Sequence, residues 1–237
     1  MNSIKDKVAY ITGGSKGIGY GIAKILLDNG MRVAITSRSL ESAQQAAAAL
    51  CNDTNRVLAL QSDVSSLSSE TAAVKKVATH FGQLDVLVAN AGVGHFASIE
   101  SLTEAAWKEM IDTNLTGVFN SVKASLEALK QSKGYIITIA SLAGTNFFAN
   151  GSGYNASKFG LVGFSQAIMM DLRQYGIKVT TIMPGSVATH FNDHVPVDTD
   201  AWKIQPEDIG QMVADLLKMH PRALPSKIEV RPSIPGK

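Results

Sequence analysis

A short apolar, β-branched run, Lys7 to Thr12, passes directly into Gly13-Gly14-Ser15-Lys16-Gly17-Ile18-Gly19. A helical pattern follows, carried by Ile22, Ala23, Ile25, Leu26 and Leu27 as far as Gly30. The run reads as a buried strand. A buried strand, a glycine turn and a helix in immediate succession leave few folds open. Such a turn needs residues without a Cβ, lets the backbone approach a phosphate closely, and aims the helix N-terminus at the anion. The spacing is Gly13-x-x-x-Gly17-x-Gly19 rather than G-x-G-x-x-G, and three glycines here can be no more than a tight connection. In this context the turn is read as a nucleotide site.

The same alternation runs through the chain. Further strands are expected at Met31–Ser37, Arg56–Gln61, Leu84–Ala89, Tyr135–Ala140 and Ile177–Met183, with a short seventh at Lys227–Arg231. Helical patterns separate them: Leu40–Leu50, about 67–81, a long region from Thr103 to Leu129, Tyr154 to about Tyr175, and Pro206 to about Met219. Strands alternating with helices predict a doubly wound α/β fold, a parallel sheet of about seven strands with helices on both faces. At 237 residues and 45% hydrophobic, the chain suits one such domain over 1–237 with a large core. Binding residues should then gather at the carboxyl ends of the strands. Ser37-Arg38, Asp63-Val64, Asn90-Ala91-Gly92, Ser141 and Pro184–Thr189 all fall there.

Charge and cysteine content narrow the function. A net charge of +2 with scattered basic residues gives no case for a nucleic acid or membrane partner. The single cysteine, Cys51, excludes an internal disulfide, and no cluster of metal ligands is apparent, so no metal is expected. The polar start, Met1 to Lys7, leaves no room for a signal peptide, and no apolar run approaches the ~18 residues that span a bilayer. A cytoplasmic protein is expected.

Two local patterns carry chemistry. The second strand ends in Ser37-Arg38 rather than in the acid that would accept from a ribose 2′-hydroxyl. A hydroxyl followed by a guanidinium suits a 2′-phosphate, and Lys16 adds a second cation, which favours NADP over NAD. Tyr154 and Lys158, four residues apart, share one face of a helix. An ammonium about 4 Å from a phenol, at an effective dielectric of about 20, favours the phenolate by roughly 4 kcal/mol. That would bring the tyrosine from about 10 toward pH 7, where it can exchange a proton with a carbonyl or alcohol oxygen. Asn114, inside a helical run, is costly there unless hydrogen-bonded, as a satisfied buried amide or at a helix kink.

In order along the chain stand Thr12-Gly13-x-x-x-Gly17-x-Gly19, Asp63, Asn90-Ala91-Gly92, Asn114, Ser141, Tyr154-x-x-x-Lys158 and Pro184-Gly185-x-x-x-Thr189. This ordered set resembles the short-chain dehydrogenase/reductase family, in its single-domain NADP-using branch, over nearly the whole chain. The resemblance implies a Rossmann-type fold and an NADP(H)-dependent oxidoreductase that interconverts a carbonyl and an alcohol. It implies that Tyr154 is the general acid/base, that Ser141 holds the substrate oxygen, and that Lys158 binds the nicotinamide ribose and lowers the tyrosine pKa. Asn114 would position a water that links Lys158 to solvent. Gly13, Ser15, Lys16, Gly17, Ile18 and Gly19 would wrap the pyrophosphate and adenosine ribose. Ser37 and Arg38 would face the 2′-phosphate, and Asp63 and Val64 the adenine. Asn90, Ala91 and Gly92 would line the cleft, while Pro184, Gly185, Val187 and Thr189 would hold the nicotinamide end.

Phe96, Phe147, Phe148 and Phe191 suggest an apolar wall for a hydrophobic ketone or aldehyde, and the irregular 190–205 segment a mobile lid beside it. The chain also resembles the 3-oxoacyl carrier-protein reductases, an alternative activity. It departs from them at Ser132 and Met170, where those enzymes usually offer basic residues, and in lacking a double-glycine C-terminus. A nucleotide sensor without catalysis is a further alternative, which the intact Ser141, Tyr154 and Lys158 oppose. Helices around 115–131 and 154–173 carry more apolar positions than one sheet face can bury, so a homodimer or homotetramer is expected.

Overall fold

The computed structural model describes residues 3–234; Met1 and Asn2 of the polar start, and residues 235–237, lie outside the described residues. Its strands are β1 (Val8–Ile11), β2 (Arg32–Ser37), β3 (Val57–Gln61), β4 (Val86–Ala89), β5 (Tyr135–Ile139), β6 (Lys178–Pro184) and β7 (Lys227–Val230). They form one seven-stranded sheet in the order β3-β2-β1-β4-β5-β6-β7. Every neighbouring pair is parallel. The helices are α1 (Gly17–Asp28), α2 (Leu40–Leu50), α3 (Leu67–Phe81), α4 (Glu104–Ile111), α5 (Gly117–Ser132), α6 (Ser152–Leu172) and α7 (Pro206–Lys218). This is the doubly wound, Rossmann-type architecture that the alternation predicts.

The period of two along each strand explains why both faces are covered. Ala9, Ile11, Val86 and Val88 pack with Ile22 and Leu26 of α1 and Ile209 and Val213 of α7. Their neighbours Val8, Tyr10, Leu87 and Ala89 belong to the opposite layer, with Val77 of α3, Val122 of α5 and Leu161 of α6. A strand buried on both sides carries no polar alternation, hence the unbroken apolar runs. The two layers are built differently. α1 and α7 meet backbone to backbone, since a Cβ on Gly21 would lie 2.5 Å from the Pro206 carbonyl carbon. α5 and α6 instead present large side chains.

Two buried polar groups set the geometry of the carboxyl edge. The Tyr10 hydroxyl donates to Glu70 Oε1 at 2.9 Å and the Ser62 hydroxyl to the same oxygen at 2.6 Å. They tie α3 to the end of β3 and so fix Asp63. The Val64 carbonyl accepts from Asn120 Nδ2 at 2.8 Å, which anchors the next residue to α5. The long helical region expected after Thr103 is interrupted by a π turn, Asp112–Thr116, between α4 and α5. Asn114 sits in that turn, fully buried. It is thus both the satisfied amide and the distortion of the helix, since a π turn aims a side chain differently from the α-helices around it.

Candidate active site

The strand order reverses between β1 and β4, because the chain lays β2 and β3 to one side of β1 and then crosses to the other. The loops leaving β1 and β4 therefore diverge and open a crevice at the carboxyl edge. That crevice is one continuous cleft of about 1120 Å³.

At its floor the two loops are laced together. Thr12 Oγ1 accepts from the N–H groups of Asn90 and Ala91 at 3.0 and 3.1 Å. Asn90 Nδ2 donates back to the carbonyls of Thr12 and Gly13 at 2.9 and 3.1 Å. Gly13 and Gly17 adopt φ of +64° and +58°, the left-handed region open chiefly to glycine. A Cβ on Gly13 would stand 2.9 Å from Ala91 Cα. Helix α1 begins with no side-chain cap and no acid in its first turn, so its first N–H groups and its dipole are available to an anion. The cradle therefore fits a dinucleotide pyrophosphate.

The outer wall carries Ser37, Arg38, Asp63 and Val64, with Ser15, Lys16 and Ile18 at the rim of the cradle. The Asp63 carboxylate is folded back on its own chain, accepting from the Ser65 N–H at 2.9 Å. Arg38 is largely solvent-exposed and faces Glu109 of α4, Nη1 to Oε1 3.7 Å. The second Glu109 oxygen is bonded to His95 Nε2 at 2.8 Å. The His95-Phe96 pair after β4 is expected from the sequence to line the pocket, and both residues do, whereas Glu109 gives no signal there, an ordinary polar residue at an unremarkable helix position. Thr113, one turn after Glu109, also lines the cleft.

At the other end, Ser141 leaves β5 as the cap of a short 3-10 turn, its hydroxyl accepting from Ala143 N at 3.1 Å. Tyr154 and Lys158 lie on the first turns of α6 at 8% and 4% exposure. Lys158 Nζ stands 5.7 Å from the Tyr154 ring centroid. The expectation of a tyrosine lowered toward neutrality by this lysine is not met. Burial pushes Tyr154 up to about 12, with the hydrogen bond to Ser141 pulling weakly the other way. Burial likewise pushes Lys158 down to about 8. Desolvation, which a charge pair at about 4 Å considered alone ignores, dominates the shift of both groups.

Asn114 and Gly19 stand just outside the cleft wall; every other residue expected to react or to bind the cofactor lines it. Asn114 Nδ2 donates to the Val93 carbonyl at 2.8 Å and to Ser157 Oγ at 3.0 Å, and its Oδ1 accepts from Val93 N at 2.8 Å. The π turn thus braces the β4 loop against α6. Pro184, Gly185, Val187 and Thr189 line the cleft beyond the end of β6.

The aromatic wall is real but smaller than expected. Phe96 stacks edge-on to Tyr154 at 5.3 Å between centroids, and Phe191 lies 5.7 Å from the same ring. Phe148 touches Phe96 at 5.8 Å. Phe147 is 85% exposed and does not belong to it. The 190–205 segment is irregular, as expected, yet tethered. Val187 and Ile204 form an isolated parallel bridge. Asp200 accepts from Lys203 at 2.7 Å and pairs with His194 at 2.5 Å. Those two hydrogen bonds hold its carboxyl down to about 2.

Residues 7–199 match the short chain dehydrogenase family. An uncharacterized oxidoreductase of Staphylococcus saprophyticus is 34% identical over 98% of this chain and all of its own length. Among solved structures, an alcohol dehydrogenase from the archaeon Thermococcus sibiricus, complexed with 5-hydroxy-NADP, superposes with a TM-score of 0.90. It is 31% identical, and the match covers 97% of each chain. A 3-ketoacyl-(acyl-carrier-protein) reductase from Brucella melitensis, complexed with NADH, superposes with a TM-score of 0.89 at 25% identity. That match covers 98% of this chain and 99% of the other.

Proposed function

This chain is an oxidoreductase of the short-chain dehydrogenase/reductase family, and on that premise we propose that it reduces a hydrophobic ketone or aldehyde with NADPH. The observation that carries the reading is the placing of Ser141, Tyr154 and Lys158 at one end of a cleft whose other end is the glycine cradle. Nicotinamide cofactors in two similar structures support the cofactor class. Its 2′-phosphate form rests on Ser37-Arg38 and Lys16, with no acid at the end of β2.

The cradle from Gly13 to Gly19 would hold the pyrophosphate, and Asn90 to Gly92 with Pro184, Gly185, Val187 and Thr189 the nicotinamide half. When bound, the cofactor supplies the hydride that the carbonyl carbon receives. The chain's own part is to hold the carbonyl oxygen between the Ser141 and Tyr154 hydroxyls, where negative charge grows on it. Tyr154 then gives that oxygen its proton. Burial pushes the phenol up to about 12, so Tyr154 carries the proton that it would give. Lys158, buried beside it, would bind the ribose and replace the proton. Phe96, Phe148 and Phe191 around Tyr154 favour an apolar substituent on the carbonyl.

Reduction of a 3-oxoacyl group on a carrier protein is the second reading, favoured by the likeness to the Brucella melitensis reductase and opposed by Ser132 and Met170. Self-association through α5 and α6 is part of the proposal: Phe119, Phe159 and Met170 are 46%, 41% and 59% exposed on these helices. A dimer or tetramer would cover them, and light scattering tests it. A cytoplasmic location also belongs to this reading.

Titration with NADPH and NADH, followed by nicotinamide fluorescence in the wild type and Arg38→Ala, tests the cofactor. Tighter NADPH binding that the variant loses supports the reading, and equal or NADH-favoured binding overturns it. A screen of aryl and alkyl ketones with the preferred cofactor then tests the substrate class.

A further inference from the structure

We infer that Glu109 is a specificity-determining residue of the nucleotide cleft, one that competes with a 2′-phosphate for Arg38 and so sets how strongly NADPH is preferred. This deepens the cofactor reading above and rests on it. Glu109 lies on α4, an element that supplies none of the groups assigned to the cofactor. Its carboxylate nevertheless reaches the rim of the cleft and bridges its two walls. One oxygen faces Arg38 at the end of β2, at 3.7 Å. The other is bonded to His95, beyond the end of β4, at 2.8 Å. Arg38 and His95 both line the cleft.

The two contacts are unequal. The bond to His95 has hydrogen-bond length, whereas 3.7 Å to the guanidinium is an ion pair without one. His95 therefore fixes where the carboxylate sits, and Arg38 is the partner that can be taken from it. A 2′-phosphate offers Arg38 a dianion with bidentate geometry in place of a carboxylate at pairing distance. Binding the phosphate must dissolve the Arg38–Glu109 pair and also bring a second anion close to Glu109. Both effects weaken NADPH and neither touches NADH, whose 2′-hydroxyl is uncharged.

The test is a set of binding titrations with NADPH, NADH, 2′,5′-ADP and 5′-AMP on the wild type, Glu109→Gln, Arg38→Ala and the double variant. Glutamine keeps the size of the side chain and removes its charge. Glu109→Gln is expected to tighten NADPH and 2′,5′-ADP by roughly three- to ten-fold at low salt and to leave NADH and 5′-AMP unchanged. The gain should shrink in the Arg38→Ala background, as coupled sites do in a double-mutant cycle. An NADPH-to-NADH affinity ratio that Glu109→Gln leaves unchanged, or lowers, overturns the inference; a lower ratio would mean that Glu109 orients Arg38 for the phosphate. The wild-type ratio separately tests the cofactor reading. A wild type that favours NADH, with a variant shifted toward NADPH, would remove that reading and keep Glu109 as the discriminating residue.

Discussion

Lys158 Nζ donates to the main-chain oxygen of Ile139 at 3.2 Å, which ties the second turn of α6 to the last residue of β5. The strand that delivers Ser141 is thereby held to the helix that delivers Tyr154. The lysine is almost wholly buried, and burial alone accounts for its fall from 10.5 to about 8.

That fall has a signature in stability. Below pH 8 the native state bears the full cost of a buried ammonium. Between pH 8 and 10.5 the unfolded chain keeps a proton that the native chain has released, so stability rises with pH across that window. Relative to Lys158→Met, the wild type should gain on the order of 2–3 kcal/mol between pH 8 and 10.5. Urea midpoints at several pH values measure the difference. Tyr154 acts in the opposite sense and only later, between 10 and about 12. A difference that stays flat with pH would show that Lys158 is solvated in the native protein.

Tyr154→Phe removes the hydroxyl that faces Ser141 and would deliver the proton. Turnover of any reduced ketone should fall by about 10²–10⁴-fold, while the NADPH titration stays as in the wild type. Retained turnover would move the proton donor elsewhere.

Asn114→Ala should destabilise the fold by about 1–3 kcal/mol, because it strands the half-buried Val93 N–H and carbonyl. The shift of the urea midpoint reads this directly. A loss under about 0.5 kcal/mol would mean that water replaces the amide.

At the opposite face, Gly21→Ala drives a methyl group into the Pro206 backbone. The cost of overpacking there should be about 1–3 kcal/mol, seen as a fall in Tm of about 2–10 °C. An unchanged Tm would show that α7 can move away from α1 without loss.

What was legible in the sequence follows from range. Val8 to Ile11 and Val86 to Ala89 are apolar because both faces of the sheet are covered, and that pattern is local. The turn at Gly13 and Gly17 announces itself because its left-handed backbone favours glycine and a Cβ on Gly13 would crowd Ala91. Glu109 announces nothing, since its meeting with Arg38 and His95 depends on how α4 is set against the end of β2, and that is a tertiary fact. The protonation of Tyr154 escapes the sequence for the same reason: a spacing of four residues gives the neighbour but not the depth of burial. Phe147 and Phe148, adjacent in sequence, part company on the surface, and composition could not tell which one turns inward.

The bridge between Val187 and Ile204 holds both ends of the 188–203 segment by main-chain hydrogen bonds, Ala188 N to Ile204 O at 2.9 Å and Ile204 N to Ser186 O at 3.1 Å. Main-chain bonds do not depend on which side chains lie between them. The anchor of the segment therefore rests on its two ends. With Thr189 kept against the cleft and His194, Asp200 and Lys203 kept together, the exposed residues between those ends are free to vary without altering the main-chain anchor.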